Sequence, residues 1–203
     1  MPSSEGVDGG LAAAINTAVE HLASLGAEIV ELDLGLDLNL LGQTWFELCS
    51  REVFEAHSDT YPELASEYGR PVSHFLAMGA SISDSAYRAA QENRAALNRQ
   101  FTSELAKVDG LVAPAGIAFP VLPEQLYGAP GIYEEYEAKL PGWFTFPADL
   151  AGTPALTLPC GASAEGIPYG MQIMGSRLSE ATLCRIGQAY EDTTDWKDRH
   201  PPI

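Results

Sequence analysis

Lysine is scarce in this sequence. Lys107, Lys139 and Lys197 are the only lysines, and 28 acidic residues outnumber 11 basic ones, so the formal net charge is −17. So much negative charge repels nucleic-acid phosphates and anionic lipid head groups. We therefore expect neither a nucleic-acid partner nor a membrane partner. Such acidity is typical of adaptation to high salt or simply of an acidic protein, and we favour the second explanation.

Cysteine and histidine are also rare, with three cysteines and four histidines in 203 residues. The cysteines are far apart, form no CxxC pair and are odd in number, which argues against a disulfide framework and favours the reducing cytoplasm. The histidines show no HExxH or comparable spacing. The sequence therefore predicts no metal site, and we expect no cofactor.

Long apolar runs are absent as well. No run approaches the roughly 20 residues of a membrane-spanning helix, and residues 1–10 lack the basic and apolar regions of a signal peptide. What remains is a composition of 46% hydrophobic and 19% charged residues, which is typical of a globular domain or part of one. Whether Met1 is the natural start is left open.

Periodic patterns of apolar residues predict the secondary structure. Asp8 and Ser83 stand where helix N-caps are expected, and Gly26 stands where a helix ends. The alternation of helical and strand patterns predicts an α/β fold, a mixed β-sheet with helices on both faces. Helices are predicted at 8–25, 38–60, 71–81, 83–107, about 144–151 and 179–194, and strands at 27–34, 111–114, 155–159 and 169–175.

Residues 115–142 are rich in proline, glycine and tyrosine and show no sustained period. This composition predicts a long loop of the kind that often carries function or covers a site. Three tyrosines of this segment either cover such a site or lie on an acidic surface: Tyr127, Tyr133 and Tyr136.

An ordered set of motifs fills the last third of the chain. FTFPADLAGTPALTLPCG (144–161) is followed by GIPYGMQIMG (166–175) and then by SEATLCRIGQAYE (179–191). This order resembles the C-terminal signature of the amidase-signature family of amide hydrolases. Upstream, LGAEIVELDL and VDGLVAPAGIAFP resemble a strand and a proline-containing segment of that family. Two positions depart from its pattern: Asp149 stands where asparagine is usual, and Ala115 where threonine is usual.

The motif residues also have structural explanations that need no catalysis. Gly152-Thr153-Pro154 is expected to end a helix and direct the next strand, which Pro159 is expected to close. Gly170 lies within a predicted strand, where a close approach of another chain segment is the usual reason for glycine. Cys160 has no basic neighbour, which favours a buried structural thiol over a reactive one.

The resemblance implies nucleophilic acyl transfer by a lysine, a serine on a cis peptide bond and a second, nucleophilic serine in a Gly/Ser-rich segment. In the family these three residues lie in the N-terminal part. This sequence has no GGSS-like run and no G-x-S-x-G motif, and its serine-containing segments have the pattern of turns or caps. We therefore assign no catalytic residue. We expect residues 1–203 to be the C-terminal portion of an amidase domain without its N-terminal catalytic portion, and to be inactive alone.

By the resemblance, this portion contributes one wall of the substrate funnel. In the glutamine-specific branch, the A subunit of the tRNA-dependent amidotransferase, an arginine and an aspartate occupy positions that correspond here to His74 or Phe75 and to Gly142. Neither charge is present, which favours a less polar amide. Trp143 and Phe144 either line an apolar tunnel or pack in the core, and His74 either binds substrate or is a core residue. The candidate pocket residues are thus His74, Phe75, Gly142, Trp143 and Phe144.

Three functional hypotheses follow. The first is one part of an amide hydrolase, which would act on a small amide once the N-terminal part completes it. The second is a non-catalytic binding or regulatory module whose exposed apolar surface is covered by a second chain or a second copy. The third, disfavoured by the missing charges, is a part similar to the A subunit of a tRNA-dependent amidotransferase.

Overall fold

The computed structural model describes residues 7–116 and 144–200. The predicted caps of two helices are present, because Asp8 accepts hydrogen bonds from the N–H groups of Gly10 and Leu11, and Ser83 accepts one from Ala86. Gly26 ends the first helix region with a φ of 101°. The helices are α1 (Gly9–Ser24), α2 (Leu38–Ala56), α3 (Arg70–Ser81), α4 (Asp84–Leu105), α5 (Phe146–Ala151) and α6 (Glu180–Glu191).

Three strands form one sheet: β1 (Leu111–Pro114), β2 (Ala155–Ala162) and β3 (Pro168–Met174). Their order is β1-β3-β2, and β3 pairs antiparallel with both neighbours. The α/β class is therefore confirmed, while the strands of the described residues pair only antiparallel rather than in the mixed arrangement we expected. A hairpin turn joins β2 to β3, and this short connection requires antiparallel pairing.

Helices cover both faces of this sheet, as predicted. Alternate residues of β3 point to opposite faces because side chains alternate along a strand. On one face Met171 and Ile173 pack with α1 and α6, and on the other Met174 packs with Phe101 and Leu105 of α4. The first face is completed by Leu11, Ile15, Ala18, Leu22, Leu158, Cys160, Tyr169, Leu183 and Tyr190.

The predicted strand at 27–34 is wrong. This segment makes no ladder with any strand of the described residues, and Ile29 and Val30 are 49% and 51% exposed. Burial alternates from residue 32 to residue 37, so the alternating pattern did mark one inner side at the end of this segment. It could not indicate a neighbouring strand, which pairing also requires.

Several element boundaries also differ from the predictions. Helix α2 ends at Ala56, with His57 as its C-cap, rather than at residue 60. Helix α6 ends at Glu191, three residues early. Strand β2 continues past Pro159 to Ala162, because a shift in register between Pro159 and Gly161 accommodates the proline.

A second core joins the helices to each other. It lies between α2, α4 and α5, and the undescribed segment 117–143 separates α5 from β1 in the sequence. This helical layer brings the middle of α2 beside the start of α5. Its buried members are Leu41, Leu48, Ala90, Leu97, Phe146 and Leu150.

Candidate functional site

Four aromatic side chains from three helices meet at one place, which we call the aromatic cluster: Trp45, Phe46, Phe75 and Phe146. The Trp45 and Phe146 rings are stacked, with centroids 4.3 Å apart and planes 16° from parallel. Phe46 contacts Phe146 edge-on at 5.8 Å, and Phe75 lies 6.2 Å from Trp45. Phe146 is buried, while the other three rings are half-buried. The cluster is therefore an apolar wall that reaches the surface.

An acidic group borders the aromatic cluster. The indole Nε1 of Trp45 donates a hydrogen bond of 3.1 Å to the carboxylate of Asp149, which is exposed in the first turn of α5. Burial raises the pKa of the Cys49 thiol to about 11, and the negative charges of Glu52 and Asp149 contribute to this rise. Asp149 thus orients the indole and leaves this rim negatively charged.

Removing the acceptor at Asp149 should have a small, specific cost. We expect Asp149→Ala to lower the free energy of unfolding by about 1 kcal/mol, because the indole N–H loses its partner. Asp149→Asn should cost about 0.5 kcal/mol or less, because the amide oxygen still accepts and only the favourable charge near the start of α5 is lost. Urea unfolding followed by tryptophan fluorescence measures both, and equal losses in the two variants would contradict the hydrogen-bonding role.

A buried glutamine holds the chain next to this wall. Gln172 of β3 is 3% exposed, and its Nε2 donates to the carbonyl of Pro114 at 2.7 Å and to that of Phe144 at 2.6 Å. These two carbonyls flank the undescribed segment 117–143 on either side. One side chain therefore connects the end of β1 to the chain that leads into α5.

The predicted pocket residues are only partly brought together. Phe75 lies in the aromatic cluster, and Phe144 is half-buried and bound through its carbonyl to Gln172. His74 is exposed, so a core position for it is wrong. The reason is helical geometry, since α3 turns Leu76 towards the interior and residue 74 lies on the opposite side. The remaining two, Gly142 and Trp143, lie outside the described residues.

The sequence alone did not single out Trp45, Phe146 or Asp149 as site residues. Each lies in a predicted helix, where an aromatic or acidic residue has no unusual meaning. The only available signal was Asp149 itself, where the family resemblance expects asparagine. The partners Trp45 and Asp149 are 104 residues apart, so their contact depends on the packing of α2 against α5.

Away from the aromatic cluster, an open groove of about 610 Å³ lies between α1 and the end of α6. Its histidine, His21, is 2.8 Å from the hydroxyl of Thr193, which resembles a base beside a nucleophile. That hydroxyl, however, also donates to the carbonyls of Ala189 and Tyr190. The pair therefore has a structural explanation as a link between α1 and the end of α6.

Gly170 has the close neighbour that its position in a strand predicts. A Cβ at Gly170 would lie 3.1 Å from the Cβ of Ala115, which is tighter than an ordinary contact. Ala115 also donates its N–H to the Gly170 carbonyl at 2.9 Å. The close approach of the two backbones therefore favours glycine at one position and a small residue at the other.

The cysteines differ in exposure. Cys160 is buried, as predicted, and burial raises its pKa to about 11; Cys49 is half-buried, while Cys184 is exposed. In the described residues no group of three or more His, Cys, Asp or Glu could hold a metal ion. Among those residues there is also no helix with the length and hydropathy of a membrane span.

These environments predict selective thiol labelling. In the native protein at pH 8 we expect an aromatic disulfide reagent to modify Cys184 first. A pKa of about 11 leaves only about 0.1% of Cys49 and Cys160 as thiolate, and burial shields both, so they should react at least ~100-fold more slowly. We expect one equivalent of the reagent's thiolate to be released before denaturation and three equivalents in total after it. The Cys184→Ser variant is the control, and rapid native labelling of that variant would contradict the prediction.

Residues 2–184 of this chain match the family model described as Amidase. A curated relative, the A subunit of the glutamyl-tRNA(Gln) amidotransferase of Chloroflexus aggregans, is 32% identical over 224 aligned positions that cover 98% of this chain and 44% of that protein. The chain thus spans less than half the length of the curated relatives of this kind.

Solved structures give the same picture of the fold. One crystal structure of an amidase superposes with a TM-score of 0.78 at 26% identity, over 93% of this chain and 43% of that protein. A bacterial aryl acylamidase of the amidase signature family superposes with a TM-score of 0.74 at 22% identity, over 97% of this chain and 44% of that chain. Each solved relative is again more than twice as long as the matched region.

Proposed function

We propose, from the premise that this chain belongs to the amidase family, that it is one part of an enzyme that hydrolyses amide C–N bonds. The family match over residues 2–184 carries this proposal. The chain would supply the structural support and one wall of the substrate funnel. The reacting serines and lysine would come from an N-terminal portion that this sequence does not contain.

The proposed chemistry is acyl transfer to serine. A neutral lysine accepts a proton through the neighbouring serine as the nucleophilic serine oxygen bonds to the amide carbon. The proton then passes to the leaving nitrogen, the C–N bond breaks, and an amine departs. Water hydrolyses the acyl-serine ester by the same proton transfers, which yields a carboxylic acid and restores the enzyme.

The aromatic cluster supports an apolar substrate. Trp45, Phe46 and Phe75 are half-buried, so each presents part of its ring where a ligand or another protein segment can pack. The positions that match the charged residues of the glutamine-specific branch carry no arginine and no aspartate here. An amide with an aryl or aliphatic group fits such a wall better than a free amino acid does.

A fusion protein tests this proposal. The part of the solved amidase that this chain does not match is joined to the N-terminus of this chain, and hydrolysis of a p-nitroanilide amide is followed by release of p-nitroaniline. We expect turnover by the fusion protein and none by either part alone. Replacing the nucleophilic serine of the donor part with alanine is the matched control. Turnover by the isolated chain would contradict the proposed division of the active site.

The glutamine-dependent alternative has one observation in its favour, the 32% identity to the A subunit of an amidotransferase over 98% of this chain. The same fusion protein separates the two functions. Ammonia release from glutamine at a rate equal to or above that of the anilide would favour the amidotransferase. We expect little hydrolysis of glutamine, because an arginine and an aspartate for its charged groups are missing.

A further inference from the structure

The open groove between α1 and the end of α6, which we call the terminal groove, is large enough for a small molecule. It is lined by residues of α1, by Cys160 of β2 and by residues 190–196 at the end of α6, and its volume is about 610 Å³. Small-molecule sites in proteins commonly have volumes of roughly 300–1,000 Å³. The chemistry of its lining therefore indicates what kind of ligand it would accept.

The buried side chains that line the terminal groove form an uncharged floor. Cys160 is 5% exposed, and its thiol makes no hydrogen bond with any described residue. Burial raises the pKa of this thiol to about 11, so it is neutral at pH 7. Tyr190 is buried as well, and its ring meets that of His21 edge-on, with centroids 5.6 Å apart. An apolar group fits such a floor, because it can contact the thiol and the two rings.

The rim of the terminal groove carries two exposed carboxylates, those of Asp192 and Asp195. Asp192 accepts a hydrogen bond of 2.7 Å from the amide of Gln188 and forms no ion pair with a described residue. None of the ten described residues that line the groove is a lysine or an arginine. The rim is therefore negatively charged, which attracts a cation and repels an anion.

One cation of the chain itself is already bound at this rim. The guanidinium of Arg199 lies 4.2 Å from the centroid of the Trp196 ring, and its Nη2 donates to the carboxylate of Asp195 at 3.0 Å. A planar cation that contacts an aromatic ring and bonds to a carboxylate combines two favourable interactions. Trp196 and Asp195 line the groove, whereas Arg199 does not, so the groove itself is not filled by this guanidinium.

From these observations we infer that the terminal groove binds a small organic cation, in which an ammonium, amidinium or guanidinium is attached to an apolar group. The cation would lie at the rim, near the carboxylates of Asp192 and Asp195 and the ring of Trp196. The apolar group would contact Cys160 and Tyr190 at the floor. A metal ion is a poorer occupant, because the described residues contain no group of three or more His, Cys, Asp or Glu that could hold one. This site does not require amide hydrolysis.

Titration of the chain with three ligands of similar shape, followed by nuclear magnetic resonance, tests the inference. Benzamidine is a cation, acetophenone is neutral and benzoate is an anion. We expect benzamidine to bind with a Kd of about 1 mM or less, at least ~5-fold more tightly than acetophenone, and benzoate not to bind. Benzamidine should shift the indole N–H signal of Trp196, which is identified by its loss in Trp196→Phe, and the ring signals of His21.

Two aspartates of one turn provide a matched pair of variants. Asp195→Asn removes a charge that lines the groove, and Asp198→Asn removes the same charge from a neighbouring residue that does not line it. We expect Asp195→Asn to weaken benzamidine binding about 3–5-fold and Asp198→Asn to change it by less than ~1.5-fold. Both residues are exposed, so neither variant should unfold, and circular dichroism checks this.

Arg199→Ala should have the opposite effect on affinity. Its guanidinium compensates the charge of Asp195 and lies against the ring of Trp196, so its removal should strengthen benzamidine binding about 3-fold. Lys197→Ala is the control, because Lys197 is exposed and forms no ion pair with a described residue. The affinity of that variant for benzamidine should stay close to that of the unsubstituted chain.

Equal affinities for benzamidine and acetophenone, or tighter binding of benzoate, would overturn the inference. So would benzamidine-induced shifts that leave Trp196 and His21 unaffected, or equal losses of affinity in Asp195→Asn and Asp198→Asn. The absence of saturable binding at benzamidine concentrations up to ~10 mM would overturn it as well. None of these results depends on turnover by the fusion protein, so a failure here and a failure of the proposed function are distinguishable.

Discussion

Replacing Gly79 with alanine is expected to lower the free energy of unfolding by about 3 kcal/mol, although alanine is the better helix former by about 1 kcal/mol. The reason is the close packing of α3 on α2. A Cβ at Gly79 would lie 2.0 Å from the carbonyl oxygen of Ser50 and 2.7 Å from the Cβ of Phe54. The first of these is a backbone atom, so it cannot move without shifting α2.

Gly9 provides the matched control for this substitution. It is also a helical glycine, but a Cβ there would meet no atom within 4 Å. We expect Gly9→Ala to leave the stability unchanged or to raise it by up to about 1 kcal/mol. Urea unfolding followed by circular dichroism measures both variants. If Gly79→Ala proved as stable as Gly9→Ala, the helix pair α2–α3 could not be packed as closely as described.

Replacing Gln172 with methionine is expected to lower the free energy of unfolding by about 2–4 kcal/mol. Methionine nearly preserves the volume of the side chain but donates no hydrogen bond, so the carbonyls of Pro114 and Phe144 both lose their donor inside the protein. Each such loss costs about 1–3 kcal/mol when water cannot replace the donor. The expected result is a lower urea midpoint with an unchanged slope.

Gln100 offers a control with the same chemistry and a different environment. Its Nε2 also donates to two backbone carbonyls, those of Leu34 and Gly35, but the side chain is exposed. Water can replace those bonds, so Gln100→Met should cost about 1 kcal/mol or less. Equal losses at Gln172 and Gln100 would mean that burial does not determine the importance of the Gln172 amide.

The hydrogen-bond partners of the two glutamines could not be predicted from the sequence. Gln172 was visible as a member of a family-like motif, yet its partners lie 58 and 28 residues away. Gln100 was one polar residue among many on an amphipathic helix. The motif therefore marks Gln172, but no local pattern specifies the atoms that either side chain binds.

The aromatic cluster shows the same limit for the candidate site. Phe75 was predicted from its alignment with a charged position of the glutamine-specific branch, and it does lie in the cluster. Trp45 and Phe146 were each placed in a predicted helix without a role, although their rings stack in the cluster. The contact between the two rings depends on how α2 packs against α5, and no local sequence pattern predicts that packing.

By itself, the sequence determined the helices, the N-caps of two of them, three of the four predicted strands, the α/β class and the family resemblance. All of these depend on neighbours within a few residues or on the order of short motifs, because helical hydrogen bonds, caps and the alternation of side chains are local interactions. The acidic net charge and the absence of a catalytic serine motif also follow directly from the sequence.

Only the tertiary structure decided that residues 27–34 pair with no strand of residues 7–116 and 144–200, that His74 is exposed, and that the Trp45 indole bonds to Asp149. Each of these depends on whether a distant segment lies beside a residue. An extended pattern specifies which side chains face inwards, but its backbone hydrogen bonds require a second strand, whose presence is not encoded in the segment itself.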